Sequence, residues 1–429
     1  MGYFTVRLKE HKNYVSLLKE HASIPSIYWI FGMKRRPFLM GASALALGQL
    51  ASGCGNRQPT ALNVELLQDS IPVQLLAEFR QTLNSPVRLK FDPQAQLKDI
   101  YEHLLVWKRQ AQNPESPQRF PIPLISRQPP AIANLVTLGS YWLESAIEQQ
   151  LIQPLELLEL PGWQQLPPRW QAIVRRNRQG QLDESGLIWG APYRWGTVVI
   201  AYRRDKFEEL GWTPTDWSDL WRKELRDRIS LLDSPREVIG LTLKKLGFSY
   251  NTANLSQVPN LKTELLELHK QVKLYSSDHY LEPLILGDTW LAVGWSTDIL
   301  SLRGRDRQIQ SVVPRSGTSL WADVWVQPAV QETAAESPDS ETFTSLSQQW
   351  INFCWQKQSA IDISLLTHGA SPIMVSLNPA TLPNQLQNSS ILLPEPSILN
   401  ASEFLHPLPQ EAIEQYQELW REIRTIRFV

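Results

Sequence analysis

Short apolar runs of strand length alternate with stretches of helical period along most of this chain, and that alternation limits its fold more than any other feature. Residues 62–67 read as a strand, 72–82 as a helix opening on Pro72, and 87–91 as a second strand, which is a βαβ start. The pattern recurs as strand 134–138 then helix 140–150, strand 197–203 then helix 205–210, strand 229–233 then helix 235–246, and strand 290–295 then helix 297–302. Further helices are expected at 342–356 and 410–424. A sandwich would show strands and turns without these helices, so the pattern predicts open α/β lobes. About seven such units exceed one lobe and predict two. Between them lie segments of shifted composition: the proline-rich 110–130, the acid- and Ser-rich 331–340, and 379–409 with repeated Pro, Asn and Ser. These read as surface insertions or lobe-wrapping loops, not as separate domains.

The first 53 residues read as a leader. From Met33 the sequence MKRRPFLMGASALALGQLASGC has a basic start (Lys34, Arg35, Arg36), an apolar run at 38–50 and a small-residue end, the three parts of an export signal. That run is short of the roughly 20 residues that span a bilayer. Arg35 and Arg36 followed by Pro37-Phe38-Leu39 look like a twin-arginine signal, and Leu50-Ala51-Ser52-Gly53-Cys54 resembles a lipobox, in which Cys54 takes the lipid. Residues 1–32 precede this start and read either as an extended leader or as an overlong start, and 54–61 as the linker to the anchor. Seven of the 42 Lys+Arg and two of the 43 Asp+Glu precede Cys54, which leaves 35 against 41, a net −6 for the body. That balance supplies no basic field for nucleic acid. With Cys54 lipidated, Cys354 remains alone in an apolar stretch, so a buried thiol and no disulfide are expected.

Three stretches carry more than pattern. They are LIWGAPYRWGT at 187–197, WSDLW at 217–221 leading to LLDSPREVIG at 231–240, and LGDTWLAVGWS at 286–296 with GTSLWAD at 317–323. In this order they resemble the periplasmic spermidine/putrescine-binding proteins of polyamine ABC transporters, most closely over residues 192–328. The resemblance implies an α/β, two-lobed periplasmic-binding-protein clamshell, type II-like, with ligand in the inter-lobe cleft and the chain crossing near Trp195 and Trp321. It implies a first lobe of 62–195 plus 323–366 and a second of 196–322 plus 367–429. It further implies a monomeric substrate-binding lipoprotein that captures a polyamine and delivers it to a membrane ABC permease, with no cofactor and no catalysis. Carried over by position, the ligand residues are Asp69, Tyr141, Glu237, Trp295, Trp321 and Asp323. Carboxylates that accept charge-assisted bonds from amines, and rings that cover methylenes and attract cations, are the chemistry such a ligand needs. The chain departs from the family pattern at Leu67 and Ser70, which replace rings, at Ser234, which replaces an acid, and at Gly139, which replaces a Ser.

Each site residue also has a structural reading. Ser234-Pro235-Arg236-Glu237 is a capping box, so Glu237 is as well explained by a helix start as by a ligand. Asp323 alternates with Trp321 and Trp325 on one strand face, an uncommon setting for a solvated acid. Trp295 ends an apolar strand, which suits a core ring or the ligand side of an open sheet. Tyr141 suits a helix start or an ordinary turn, and Asp69 could cap the helix after it. Three rival functions stay open. The same clamshell could hold an anion through Arg194 or Arg236, the acids could serve a glycosidase, or the chain could be a structural lipoprotein that binds nothing. No HExxH, GxSxG or P-loop motif is present, and the five His after Cys54 are scattered, so no metal is expected.

Overall fold

The computed structural model describes residues 61–84, 86–112, 131–330 and 340–426, without the side chains of 340–345. The expected leader with Arg35 and Arg36, the expected lipidation position Cys54 and the proline-rich 113–130 lie outside the described residues. No helix among the described residues is long and apolar enough to cross a membrane.

The opening unit forms where the pattern places it. Strand β1 (Ala61–Leu67) pairs in parallel with β2 (Arg88–Gln94), and the helix between them, α1 (Val73–Thr82), buries Leu75 and Phe79. Helix α2 (Leu97–Gln112) follows and buries Ile100, Tyr101, Leu104 and Trp107 on one face. Strand β3 (Leu135–Gly139) joins β1 in parallel and ends in a 3-10 turn, Ser140–Trp142, that leads into α3 (Leu143–Glu148).

The long strand β4 (Ala191–Arg203) is the spine of the molecule. Beyond it come β5 (Ile229–Leu231), α4 (Pro235–Lys245), β6 (Val272–Tyr275), β7 (Leu291–Trp295), α5 (Ser296–Arg303), β8 (Ile309–Val312) and β9 (Ser319–Pro328). The sheet runs β2-β1-β3-β9-β4-β7-β5-β6, with β8 also on β4. β4 is shared by register. Its residues from Ala191 to Thr197 pair antiparallel with β9, and those from Val198 to Arg203 pair with β7 and β8. Between Asp323 and Val324 the β4–β9 register slips by one residue, because Asp323 faces Arg194 and Val324 faces Pro192; Tyr193 is the extra residue of a bulge.

Buried side chains divide at the same place. One core gathers Leu62, Leu135, Tyr193 and Trp195 from the β1–β3 side with Trp325, Trp350 and Trp355, and the other begins at Val198 and runs to Val313. Helices α6 (Ser340–Cys354) and α7 (Lys357–Thr367) complete the first core, and α8 (Gln410–Thr425) closes the second through Tyr416 and Ile423. The C-terminal packing differs from the expected assignment of 367–429 to the second lobe. Ala370, Ile373, Met374, Leu382 and Leu386 belong to the first core, where Ala370 exchanges backbone hydrogen bonds with Trp195 at 2.8 and 2.9 Å. Ile391 and then Leu408 onward contribute to the second, while Leu392 and Phe404 between them stay with the first. Cys354 is fully buried, as its apolar neighbours predict.

Candidate functional site

A cavity of about 440 Å³ opens where the two cores meet, and five of the six expected ligand residues line it: Tyr141, Glu237, Trp295, Trp321 and Asp323. They arrive from separate elements. Tyr141 sits on the turn after β3, Glu237 in the first turn of α4, Trp295 at the end of β7, and Trp321 and Asp323 on β9. Strand ends and the helix starts that follow them converge here, the usual ligand position in open α/β sheets.

Asp69 is not part of the lining. It is exposed on the turn after β1, with φ of 59°, and the turn is closed by Ser70 N–H donating to the Leu67 carbonyl at 3.1 Å. It does not cap α1 either, since Pro72 precedes that helix without a side-chain cap. Leu67, one of the substituted positions, lines the cavity instead.

Glu237 is buried, and the capping box forms only by half. The Glu237 N–H donates to Ser234 Oγ at 3.4 Å, but the Glu237 carboxylate reaches across to β9, where Oε2 accepts from Ser319 Oγ at 2.6 Å. Burial pushes its carboxyl up to about 7, against the lowering effect of Ser319 and of Arg236. Tyr141 is largely open, 63% exposed, and meets Trp142 edge-on at 6.4 Å.

Trp321 is half-buried and lies across β4 because residue 196 is glycine. A Cβ there would stand 2.5 Å from the Trp321 ring and 2.5 Å from Ser296 Oγ. Asp323 is 3% exposed and already paired: Arg194 Nε donates to its Oδ2 at 2.8 Å, and a second guanidinium nitrogen lies 2.6 Å from the same oxygen. Burial works against the charge on both groups; the Asp323 carboxylate nevertheless holds Arg194 above its ordinary value. Trp325, two residues along β9, leaves the cavity and stacks on Tyr193 in the first core at 4.3 Å.

Sequence reasoning missed Asp298. It lines the cavity from the first turn of α5, and its Oδ2 accepts from Tyr280 Oη at 2.9 Å, while Tyr280 Oη accepts from the Trp295 N–H at 3.1 Å. Tyr280 fits there because residue 294 is glycine, where a Cβ would stand 1.9 Å from its ring. The available signal was position alone: an acid three residues beyond Trp295 at a strand-to-helix turn. Arg236 also lines the cavity and donates to Asn251 Oδ1 at 3.0 Å.

The chain is similar over nearly its whole length to the spermidine/putrescine-binding periplasmic protein of Salmonella typhimurium, with 22% identity over 389 residues, 91% of this chain and 98% of that one. It is 25% identical over 297 residues to the putrescine/cadaverine-binding protein of Pseudomonas aeruginosa, covering 66% of this chain and 78% of that one. Its fold is that of the spermidine/putrescine ABC transporter substrate-binding protein of Streptococcus pneumoniae, with a TM-score of 0.68 at 19% identity over 85% of this chain and 98% of that one. That structural likeness makes the molecule a two-lobed α/β clamshell of the periplasmic-binding type. A family model described as bacterial extracellular solute-binding protein matches residues 131–399, a span that holds β4, β9 and all five cavity-lining ligand candidates, and the chain belongs to that family.

Proposed function

We propose that this protein is the solute-binding component of an ABC importer, and that its cleft captures a small linear amine of the polyamine class outside the membrane and presents it to a permease. The observation that carries this reading is the make-up of the cavity, where the rings of Tyr141, Trp295 and Trp321 stand with the carboxylates of Glu237 and Asp298. Rings cover the methylenes of such a ligand and attract its ammonium groups, and carboxylates accept their hydrogen bonds. Relatives named for spermidine, putrescine and cadaverine support the same ligand class. The two cores act as the lobes, and export as a lipoprotein on Cys54 would hold the body at the membrane surface near its permease.

The test is a melting screen of the chain carrying Cys54→Ser against amines, amino acids, sugars and small anions. A ligand at about 100 times its Kd stabilises by roughly 2.7 kcal/mol, which for a body of this size raises Tm by about 3 °C. A shift with an amine is the expected result. A shift with an anion and none with any amine would replace this reading by one in which Arg236, whose side-chain partner is an amide and not a carboxylate, is the anchor.

A further inference from the structure

The most deeply buried acid of the cleft already holds a cation. Arg194 and Asp323 are 7% and 4% exposed at the side chain, and two guanidinium nitrogens lie 2.8 and 2.6 Å from Asp323 Oδ2. The guanidinium carbon stands 5.6 Å from the centroid of the Trp321 ring, which also lines the cleft. Gly369 makes room for the stem, since a Cβ at that position would come within 2.5 Å of Arg194 Cγ and 2.7 Å of Cδ. A carboxylate, an indole face and a missing side chain thus converge on one guanidinium. A cation on a carboxylate beside an aromatic face is also the arrangement that an amine ligand would seek.

The charges on the wall agree with that geometry. Glu237, Asp298 and Asp323 face Arg194 and Arg236, so the lining carries at most one net negative charge. One ammonium group balances it. A second or third would enter a wall whose deepest carboxylate is already paired, and burying an unpaired charge is costly.

We propose that Arg194 is a specificity-determining residue, a built-in substitute for one amine of the ligand, so that the cleft prefers linear amines with a single ammonium group, such as an N-acylated diamine, over diamines and triamines. This rests on the amine reading of the cleft given above. It is tested by calorimetric titration of the Cys54→Ser chain and of its Arg194→Met variant with N-acetylputrescine, putrescine and spermidine. The parent is expected to bind N-acetylputrescine at least tenfold tighter than spermidine. Arg194→Met frees Asp323 while keeping an aliphatic stem, and is expected to bind spermidine at least tenfold tighter than the parent does. Adding Asp323→Asn to that variant should abolish the gain.

A parent that prefers putrescine or spermidine, or an Arg194→Met protein with no gain for spermidine, would overturn the role of Arg194 and leave the amine reading standing. Spermidine binding by the variant, with no amine bound by the parent, would support the role of Arg194 and overturn the proposed function. Folded proteins that bind no amine would overturn both. If Arg194→Met does not fold alone, its refolding in saturating spermidine or N-acetylputrescine gives the answer: recovery with spermidine only supports the substitution, and recovery with neither overturns it.

Discussion

Glu237 is the lining residue whose charge is most open to control by pH. Its carboxyl titrates near 7 in the folded protein because burial disfavours the ionised form, against an ordinary value of 4.5. The folded state therefore holds a proton that the unfolded chain has released between those two values. Stability from this group is full below about 4.5 and is lost as pH rises through about 7, by up to roughly 3 kcal/mol. Urea unfolding at about pH 5 and about pH 8 should show that loss in the parent and not in Glu237→Gln. An ammonium ligand acts in the opposite sense, because it favours the ionised carboxylate. Amine affinity should rise through this pH range with release of a proton, which calorimetry in two buffers of different ionisation enthalpy would reveal. A pH slope unchanged by Glu237→Gln would remove this residue as the source. The sequence made Glu237 visible as a candidate but left its partner hidden, since Ser319 lies 82 positions away. The same holds for Arg194 and Asp323, 129 positions apart, whose pairing changes what the acid can do for a ligand. Asp69, carried over by position from the resemblance, stands outside the lining for a local reason: it occupies a left-handed turn beyond the end of β1, and Leu67 meets the cavity there.

Among the elements, β4 does the most to build the cleft. Its period as a strand was legible from Thr197 onward, because Val198, Val199, Ile200 and Ala201 form an apolar run; the six residues before Thr197 include Pro192, Arg194 and Gly196 and read as motif, not as strand. They are strand because β9 pairs with them, which only the fold can supply. Helix α2 was missed although Ile100, Leu104 and Trp107 carry the helical spacing within the chain itself, and its last residues fall in the stretch 110–130 that reads as a proline-rich loop. Gly196 is the point at which β4 admits a ring from β9. Gly196→Ala would place a Cβ 2.5 Å from both Trp321 and Ser296, and the ring is the part able to move. The expected outcome is a folded protein with amine affinity lowered at least tenfold and a changed tryptophan emission. Affinity and emission equal to those of the parent would show that Trp321 is not a wall of the ligand site.

At the scale of the whole molecule, the alternation of strands and helices was enough to indicate open α/β lobes, and the motifs in 187–323 were enough to indicate which kind. The helix at 410–424 was legible and forms as α8, but the course of the chain between Thr367 and α8 was not, because its short helices carry little period and its allegiance is set by contacts such as that between Ala370 and Trp195. Those contacts bear on motion. Two passages between the cores run side by side as a hydrogen-bonded ribbon, with Thr197 opposite Leu320 and Gly196 opposite Trp321. Any change in the angle between the cores must twist this ribbon, on which Arg194, Trp321 and Asp323 also stand. A ligand that touches Tyr141 from the first-core side and Glu237 or Trp295 from the second gains contacts as the cores approach, so it shifts the population toward the closed form. Small-angle scattering of the Cys54→Ser chain should therefore show a radius of gyration that falls on saturation with the amine found in the melting screen. The fall should be toward the roughly 21 Å of a compact body of about 376 residues. A radius unchanged at a saturation verified by calorimetry would mean capture without closure, and the permease would then have to recognise the ligand itself or a local change in the walls around it, not the angle between the lobes.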